Sequence, residues 1–521
     1  MTRTIVKVDR TNQLNLLNDS PPVVSQKMKK EADTGRTFIA PNRKELFLGM
    51  TRMDHHLRQA GLLEPLEVAA LLEQLTWHEF EARYAKTGRA PYAPQAMMGV
   101  ILYGFMQGIH SLRGLERLAR QDLGCMWITG GICPDHACLG RFILLHEASF
   151  SNGLFKSITR QALAVTKSNG QTLAGDGTIV EAACSYYQLL KEEAVRGRAD
   201  EAKKQMAVGP LPKAKQSKVE LAIDTETRFD ERKQARVTKG RTTDSLAISP
   251  IEPDAVVQPQ KRKRGKAASY KPSILANDKR VITAHQIDPS AESRLIPELL
   301  DQSQRISGEA AQNLLLDGGY CHDLVIQTAI EKDINLLCPE GKTVGEPRGG
   351  KVYSKGMFQY HAEGDYYLCP AGQHLTSGPQ GKKTYKMYRT SACQNCPLRT
   401  DCTKAKAGRR IRRLDTDEAK EALRQVMSHP KAQKAYTQRQ AMVEPVFSYL
   451  KTVQGLMRFR RKGLSSVKLE FALHVLAYNL RLAIRAILVI LWAFYTWSLA
   501  LSHLNRQCRG IFLLGPTPKR M

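Results

Sequence analysis

The chain has 521 residues, 42% hydrophobic and 25% charged, the proportions of an ordinary globular protein with room for two or three domains. Its formal net charge of +28 is the unusual quantity. Such an excess opposes compaction by self-repulsion and points to a polyanionic partner, phosphate backbones before a membrane surface. Residues 1–20 contain no continuous apolar core, so no export signal is expected. The eleven cysteines are accordingly expected reduced, in a cytoplasmic compartment.

Residues 1–45 carry little apolar periodicity. With Pro21-Pro22 and the cluster Lys27, Lys29 and Lys30, they read as a mobile basic arm that orders on DNA. From residue 46 to about 160, apolar residues recur at three- and four-residue spacing between Gly and Pro breaks, which predicts an all-helical domain. Leu173-Ala174-Gly175-Asp176-Gly177 reads as a short buried strand holding an acid. That placement is costly unless the carboxylate is paired or binds a metal; a turn Asp capping the next helix is the other reading. Residues 191–268 form a charged insertion ending in the basic run Lys261–Lys266, with helical stretches expected but no rigid core. A hairpin follows, Ser269–Ala276 and Lys279–Ile287 about Asn277-Asp278, with Pro272 expected to keep its first strand at an edge. A helix over 292–307, a strand from Asn313 ending at Asp317, a helix over Asp323–Lys332 and a strand over Ile334–Cys338 complete the pattern. The succession predicts an α/β layer with a mixed sheet, Asp176 and Asp317 lying near the ends of adjacent central strands.

The stretch Arg439–Leu464 sets Glu444 in cationic surroundings: from Thr403 to Lys468, 17 Lys and Arg stand against 5 Asp and Glu. Pro445 predicts a helix start or kink, and Val443, Val446, Phe447 and Leu450 give that helix an apolar face. Glu444 and Lys451 are two turns, roughly 10.5 Å, apart on one side. With Arg458, Arg460, Arg461 and Lys462 they suit a polyanion held beside a metal-binding acid; a solvated basic helix with an incidental Glu is the bland alternative. Cys369, Cys393, Cys396 and Cys402 fall in a second insertion, residues 340–415. Their Cys-x-x-Cys pair and two separated thiols leave a structural Zn²⁺ and unligated thiols both open. Ala486–Leu501 is free of charge but short of the roughly 20 residues that span a bilayer. It continues the helical pattern of Leu469–Arg485, so residues 486–521 read as a buried or partner-facing apolar helix and tail, with membrane contact the alternative.

Together these pieces resemble the DDE transposases of bacterial insertion sequences. The resemblance rests on Asp176-Gly177-Thr178, Asp317-Gly318-Gly319-Tyr320 and Val443-Glu444-Pro445-Val446-Phe447 with Lys451. Pro134-Asp135-His136 before Arg141-Phe142, and the closing Leu476–Arg481, agree with it. It implies a ribonuclease-H-like catalytic domain over 165–485, with large insertions, preceded by a helical DNA-binding domain over 46–160. Asp176, Asp317 and Glu444 would then be the catalytic carboxylates, with Mg²⁺ (or Mn²⁺) as cofactor, and Lys451 would meet the DNA end. Tyr436 and Arg439 keep the mutual spacing of a related signature, but four residues separate Arg439 from Glu444 where that signature has three. Arg439, Arg458, Arg460 and Arg461 are expected at the DNA. The implied activity is binding of terminal inverted repeats, 3′-end cleavage and strand transfer of double-stranded DNA by a homodimer or higher oligomer at the nucleoid. A catalytically inactive or repurposed DNA-binding protein of the same fold is the alternative.

Overall fold

The computed structural model describes residues 29–31, 36–185, 188–238, 240–259, 265–340, 353, 355–378, 385–414 and 416–512. Residues 1–28 of the basic arm and the run Lys261–Arg264 lie outside them. The chain divides into two compact units, residues 1–168 with 448–521 and residues 169–447.

The first unit is helical. Pro94–Met106 is apolar on every side and almost wholly buried, so it forms the centre of the unit. Around it lie Met53–Gln59, Glu64–Glu73, Leu112–Gln121, Leu123–Thr129, His136–Leu145 and Phe155–Thr166. Short polar side chains start three of these helices. Ser111 Oγ accepts from Gly114 N at 3.1 Å, Asp122 Oδ1 from Cys125 N at 2.7 Å, and Asp135 Oδ1 from Cys138 N at 2.7 Å. Pro134-Asp135-His136 is therefore a helix start, and His136 Nδ1 is tied to Glu116 Oε2 at 2.7 Å.

The C-terminal helix Leu464–Phe512 belongs to the same unit and packs on Phe155–Thr166 and Pro94–Met106. Its residues from Val467 to Ile484 are largely buried, whereas Val489, Trp492, Phe494, Tyr495 and Trp497 are exposed. Of the stretch Ala486–Leu501, expected to be buried or to face a partner, residues 489–497 are exposed rather than buried. By length and composition alone, the stretch Leu464–Trp497 could cross a membrane.

The second unit is built on a mixed sheet. Five of its seven strands are β1 (Thr172–Gly177), β2 (Lys266–Asn277), β3 (Ile282–Asp288), β4 (Asn313–Leu315) and β5 (Asn335–Leu337), in the order β5–β4–β1–β2–β3; the short strands Val180–Glu181 and Val256–Pro259 pair with the start of β2. β4 runs parallel to both β1 and β5, and β2 runs antiparallel to β1 and β3. Helices Ile296–Ser307 and Asp323–Glu331 supply Leu299, Leu300, Val325 and Ile326 to a core with Leu173, Leu275, Leu314 and Leu316. Pro272 does not lie on an edge strand: β2 sits between β1 and β3. Pro272 is tolerated because it falls one residue past the last β1 pair, Gly177↔Ser273, while its carbonyl still accepts from Thr178 N at 3.0 Å.

The charged insertion is more ordered than expected. Helices Glu192–Ala207 and Lys213–Thr238 pack together, and Val195 and Phe229 share a small core with Leu246 and Ile248. Its charges face one another at the rim: Arg196 bonds Glu226 at 3.1 Å, and Lys233 bonds Glu192 at 2.6 Å. The Cys-rich insertion carries a separate five-stranded antiparallel sheet, Gln359–His361, Tyr366–Leu368, His374–Ser377, Tyr385–Arg389 and Arg410–Leu414. Tyr367, Leu375, Tyr388 and Ile411 fill its core.

Candidate active site

The two aspartates are brought together by strand register. Leu315 of β4 pairs with Ala174 of β1, and the strands are parallel. Asp317 and Asp176 each lie two residues further on, so both emerge side by side at one end of neighbouring strands, whose spacing is about 4.8 Å. Asp176 is the last residue but one of β1, opposite Ile274 of β2, and its Oδ1 accepts from Gly177 N at 2.9 Å. Asp317 caps the turn Gly318–Tyr320, its Oδ1 accepting from Gly319 N at 2.7 Å. Burial pushes the Asp176 carboxyl up from its ordinary value. The Arg439 guanidinium and the Gly177 amide oppose that shift, while Asp317 and Glu292 add to it.

Arg439 reaches this point from the helix Pro430–Thr452. It is buried, its Nη1 standing 3.6 Å from Asp176 Oδ2 and donating to the Gly175 carbonyl at 3.4 Å. Expected at the DNA, Arg439 instead turns inward and serves as the counter-charge of Asp176. Glu444 lies on the same helix and is solvent-exposed. Five residues correspond to about 500° of helical rotation, so Glu444 projects about 140° away from Arg439. Among the described residues, no three His, Cys, Asp or Glu side chains stand together closely enough to hold a metal ion.

Pro445 neither starts nor ends its helix, which begins at Pro430. A proline leaves the carbonyl four residues earlier without its helical donor. Here that carbonyl belongs to Ala441, and Arg280 Nε donates to it at 2.9 Å. Arg280 sits in the β2–β3 turn with φ +65°, a left-handed conformation uncommon for a side-chain-bearing residue. The turn and the helix segment that carries Glu444 are therefore fastened to each other.

Of the other basic residues expected at the DNA, Lys451 ends the same helix, and Arg458, Arg460 and Arg461 occupy the loop before the C-terminal helix. Arg458 and Arg460 are exposed, whereas Arg461 is half-buried. Leu456 and Phe459 anchor the loop from within. The buried Glu470 accepts from the amides of Arg460 at 3.0 Å and Arg461 at 2.8 Å. Sequence reading missed Glu470, though a lone acid in the apolar run Leu469–Leu480 was a usable signal.

The four insertion cysteines are free and partly buried. Cys369 Sγ accepts from Gln373 N at 3.3 Å, and Arg399 holds the Cys393 and Gln394 carbonyls at 3.4 and 3.2 Å. Burial raises the Cys402 thiol; Arg409 opposes this, and Cys393, Cys369 and Cys396 reinforce it.

Comparison with protein families gives two matches, a transposase DDE domain over residues 368–483 and a transposase domain (DUF772) over residues 52–144. Both matched segments are similar to transposase domains, and together they support a DDE transposase of an insertion sequence. The first match contains Glu444, Lys451, the four insertion cysteines and the arginine loop, and the second contains Pro134-Asp135-His136. Asp176 and Asp317 lie between the matched segments. A comparison with curated proteins finds no match.

Proposed function

We propose that this transposase binds the terminal inverted repeats of its own element, cleaves their 3′ ends and joins them to target DNA. Asp176, Asp317 and Glu444 would be its catalytic carboxylates. The observation that carries this reading is the pair Asp176 and Asp317, side by side at the ends of adjacent parallel strands. The strand order β5–β4–β1–β2–β3, with one antiparallel hairpin beside three parallel strands, supports a ribonuclease-H-like domain. Carboxylate oxygens suit hard divalent cations, Mg²⁺ or Mn²⁺, which when bound supply an activated water and neutralise charge on the leaving oxygen.

The chain's own residues do the rest. Arg439 offsets the buried charge of Asp176, a role that a bound cation would share. The Gly319 amide fixes the Asp317 carboxylate. Arg458, Arg460 and Arg461, the last two held through their amides by the Glu470 carboxylate, are read as contacts to the phosphate backbone, with Lys451 at the DNA end. The acting species is read as a homodimer or higher oligomer.

Binding specificity is tested with labelled duplexes from the two element boundaries, challenged with excess unrelated duplex at one fixed salt concentration. The boundary duplexes are expected to stay bound. Equal competition by unrelated DNA would leave a non-specific nuclease of the same fold.

A further inference from the structure

The second sheet has two faces of different chemistry. Tyr367, Leu375, Tyr388 and Ile411 point one way, into its core. The alternate residues point the other way, and strand pairing sets five of them in one row across all five strands: His361↔Tyr366↔Thr376↔Arg389↔Arg410. Four strand spacings make that row roughly 19 Å long. Tyr366 is half-buried and the other four are exposed. Arg412 is exposed on the same face, its guanidinium 4.1 Å from the centroid of the Tyr385 ring.

The cations of the two faces are matched differently. On the core side of these strands, Lys386 meets Asp365 at 3.1 Å and Arg413 meets Glu421 at 3.0 Å. On the outer face no strand position is Asp or Glu, and Arg389, Arg410 and Arg412 make no ion pair among the described residues. Arg389 stands directly opposite Arg410, a like-charge cross-strand pair that opposes sheet formation. An anionic ligand along the row would supply the charge that the face itself lacks.

The aromatic residues indicate which part of a nucleic acid fits. Tyr366 lies between His361 and His374, with ring centroids at 4.8 and 4.2 Å and planes inclined by only 16° and 18°. Both faces of its ring are covered, so its hydroxyl edge is what a ligand meets. Bases stack on open ring faces, whereas guanidiniums and hydroxyl edges suit phosphate oxygens.

We propose that the outer face of the second sheet is a docking surface for the phosphate backbone of duplex DNA at the element end. That the duplex is an element end rests on the function proposed above; the phosphate chemistry rests on the face itself.

The test is the affinity of the full chain for labelled boundary duplex across a series of salt concentrations, read by fluorescence anisotropy. Wild type is compared with Arg389→Gln/Arg410→Gln, with Arg412→Gln, and with Lys203→Gln/Arg228→Gln. The last removes two charges from cations already paired with Glu226 and Glu231. Each lost phosphate contact makes the slope of log K against log salt shallower by about 0.9. Arg389→Gln/Arg410→Gln is therefore expected to lose about 1.8 and Arg412→Gln about 0.9, with Lys203→Gln/Arg228→Gln keeping the wild-type slope. The same losses are expected on unrelated duplex, because backbone contacts carry no sequence. The urea midpoint of Arg389→Gln/Arg410→Gln should equal or exceed that of wild type, since the like-charge pair is gone. Wild-type affinity and slope in both outer-face variants would overturn the proposal. So would retained duplex binding with lost binding to phosphatidylserine vesicles, which would give the face to a lipid surface. Equal wild-type affinity for boundary and unrelated duplex would remove the repeat-binding reading, while the loss of slope would still uphold the backbone contact.

Discussion

Arg439 and Asp176 form the tightest electrostatic arrangement at the aspartate pair, with side chains 10% and 22% exposed. Removing one partner of such a pair leaves a buried charge without compensation, which costs about 3–5 kcal/mol where burial is complete. For Arg439→Ala we expect about 2 kcal/mol, read as a lower urea midpoint, because Asp176 keeps some contact with water. Adding Mn²⁺ should raise the midpoint of Arg439→Ala more than that of wild type, since the cation supplies the missing charge. Equal increments in the two proteins would separate Arg439 from the metal site. At this scale the sequence made Asp176 and Asp317 visible, because a carboxylate flanked by apolar and small residues has few inexpensive explanations. The inward turn of Arg439 was not visible. Its spacing to Glu444 signalled a departure from the related signature, but which way a helix presents a side chain depends on what the helix packs against.

The helix Pro430–Thr452 shows how an element can override a local rule. Pro445 forfeits one helical hydrogen bond, and the reading from sequence placed a helix start or kink there. The helix continues because Arg280, from the turn between β2 and β3, donates to the released Ala441 carbonyl. Pro445→Ala would restore the helical donor and make Arg280 redundant at that carbonyl. Arg280→Ala is therefore expected to cost about 1 kcal/mol in wild type and close to nothing in a Pro445→Ala background. A coupling energy near zero, from chemical denaturation of the four proteins of the cycle, would contradict the fastening. Pro272 teaches the same lesson on β2: a proline costs only the bond its N–H would have made, and at residue 272 pairing with β1 has already ended. The charged insertion was misjudged for another reason. Val195, Ala199, Ala202 and Phe229 are spaced to meet across two helices, but dense charge on the outer faces hides so narrow an apolar strip.

For the whole molecule, the order of motifs along the chain was the most legible feature. Asp176, Asp317 and Glu444 are separated by long insertions, and no local pattern joins them. Parallel pairing of β1 with β4 brings the first two together. The third lies on a helix whose orientation a linear pattern does not encode. The charge of +28 was also readable and is consistent with a transposase, whose partner is a polyanion. The apolar end of the C-terminal helix was legible only in part. Val467–Ile484 is buried, while the residues from Val489 to Trp497, expected to be buried or partner-facing, stand exposed, because periodicity shows that a helix is apolar but not how far its neighbours extend along it.

The central claim is that Asp176 and Asp317 form the metal-dependent centre that cuts and joins DNA. It is tested most directly with labelled DNA spanning an element boundary, incubated with wild-type chain or Asp317→Asn, each in Mg²⁺ and in EDTA. Wild type with Mg²⁺ is predicted to nick at the boundary and transfer the released 3′ end. Asp317→Asn should bind the same DNA and leave it intact, as should wild type in EDTA. Equal cleavage by both proteins in Mg²⁺ would contradict the assignment.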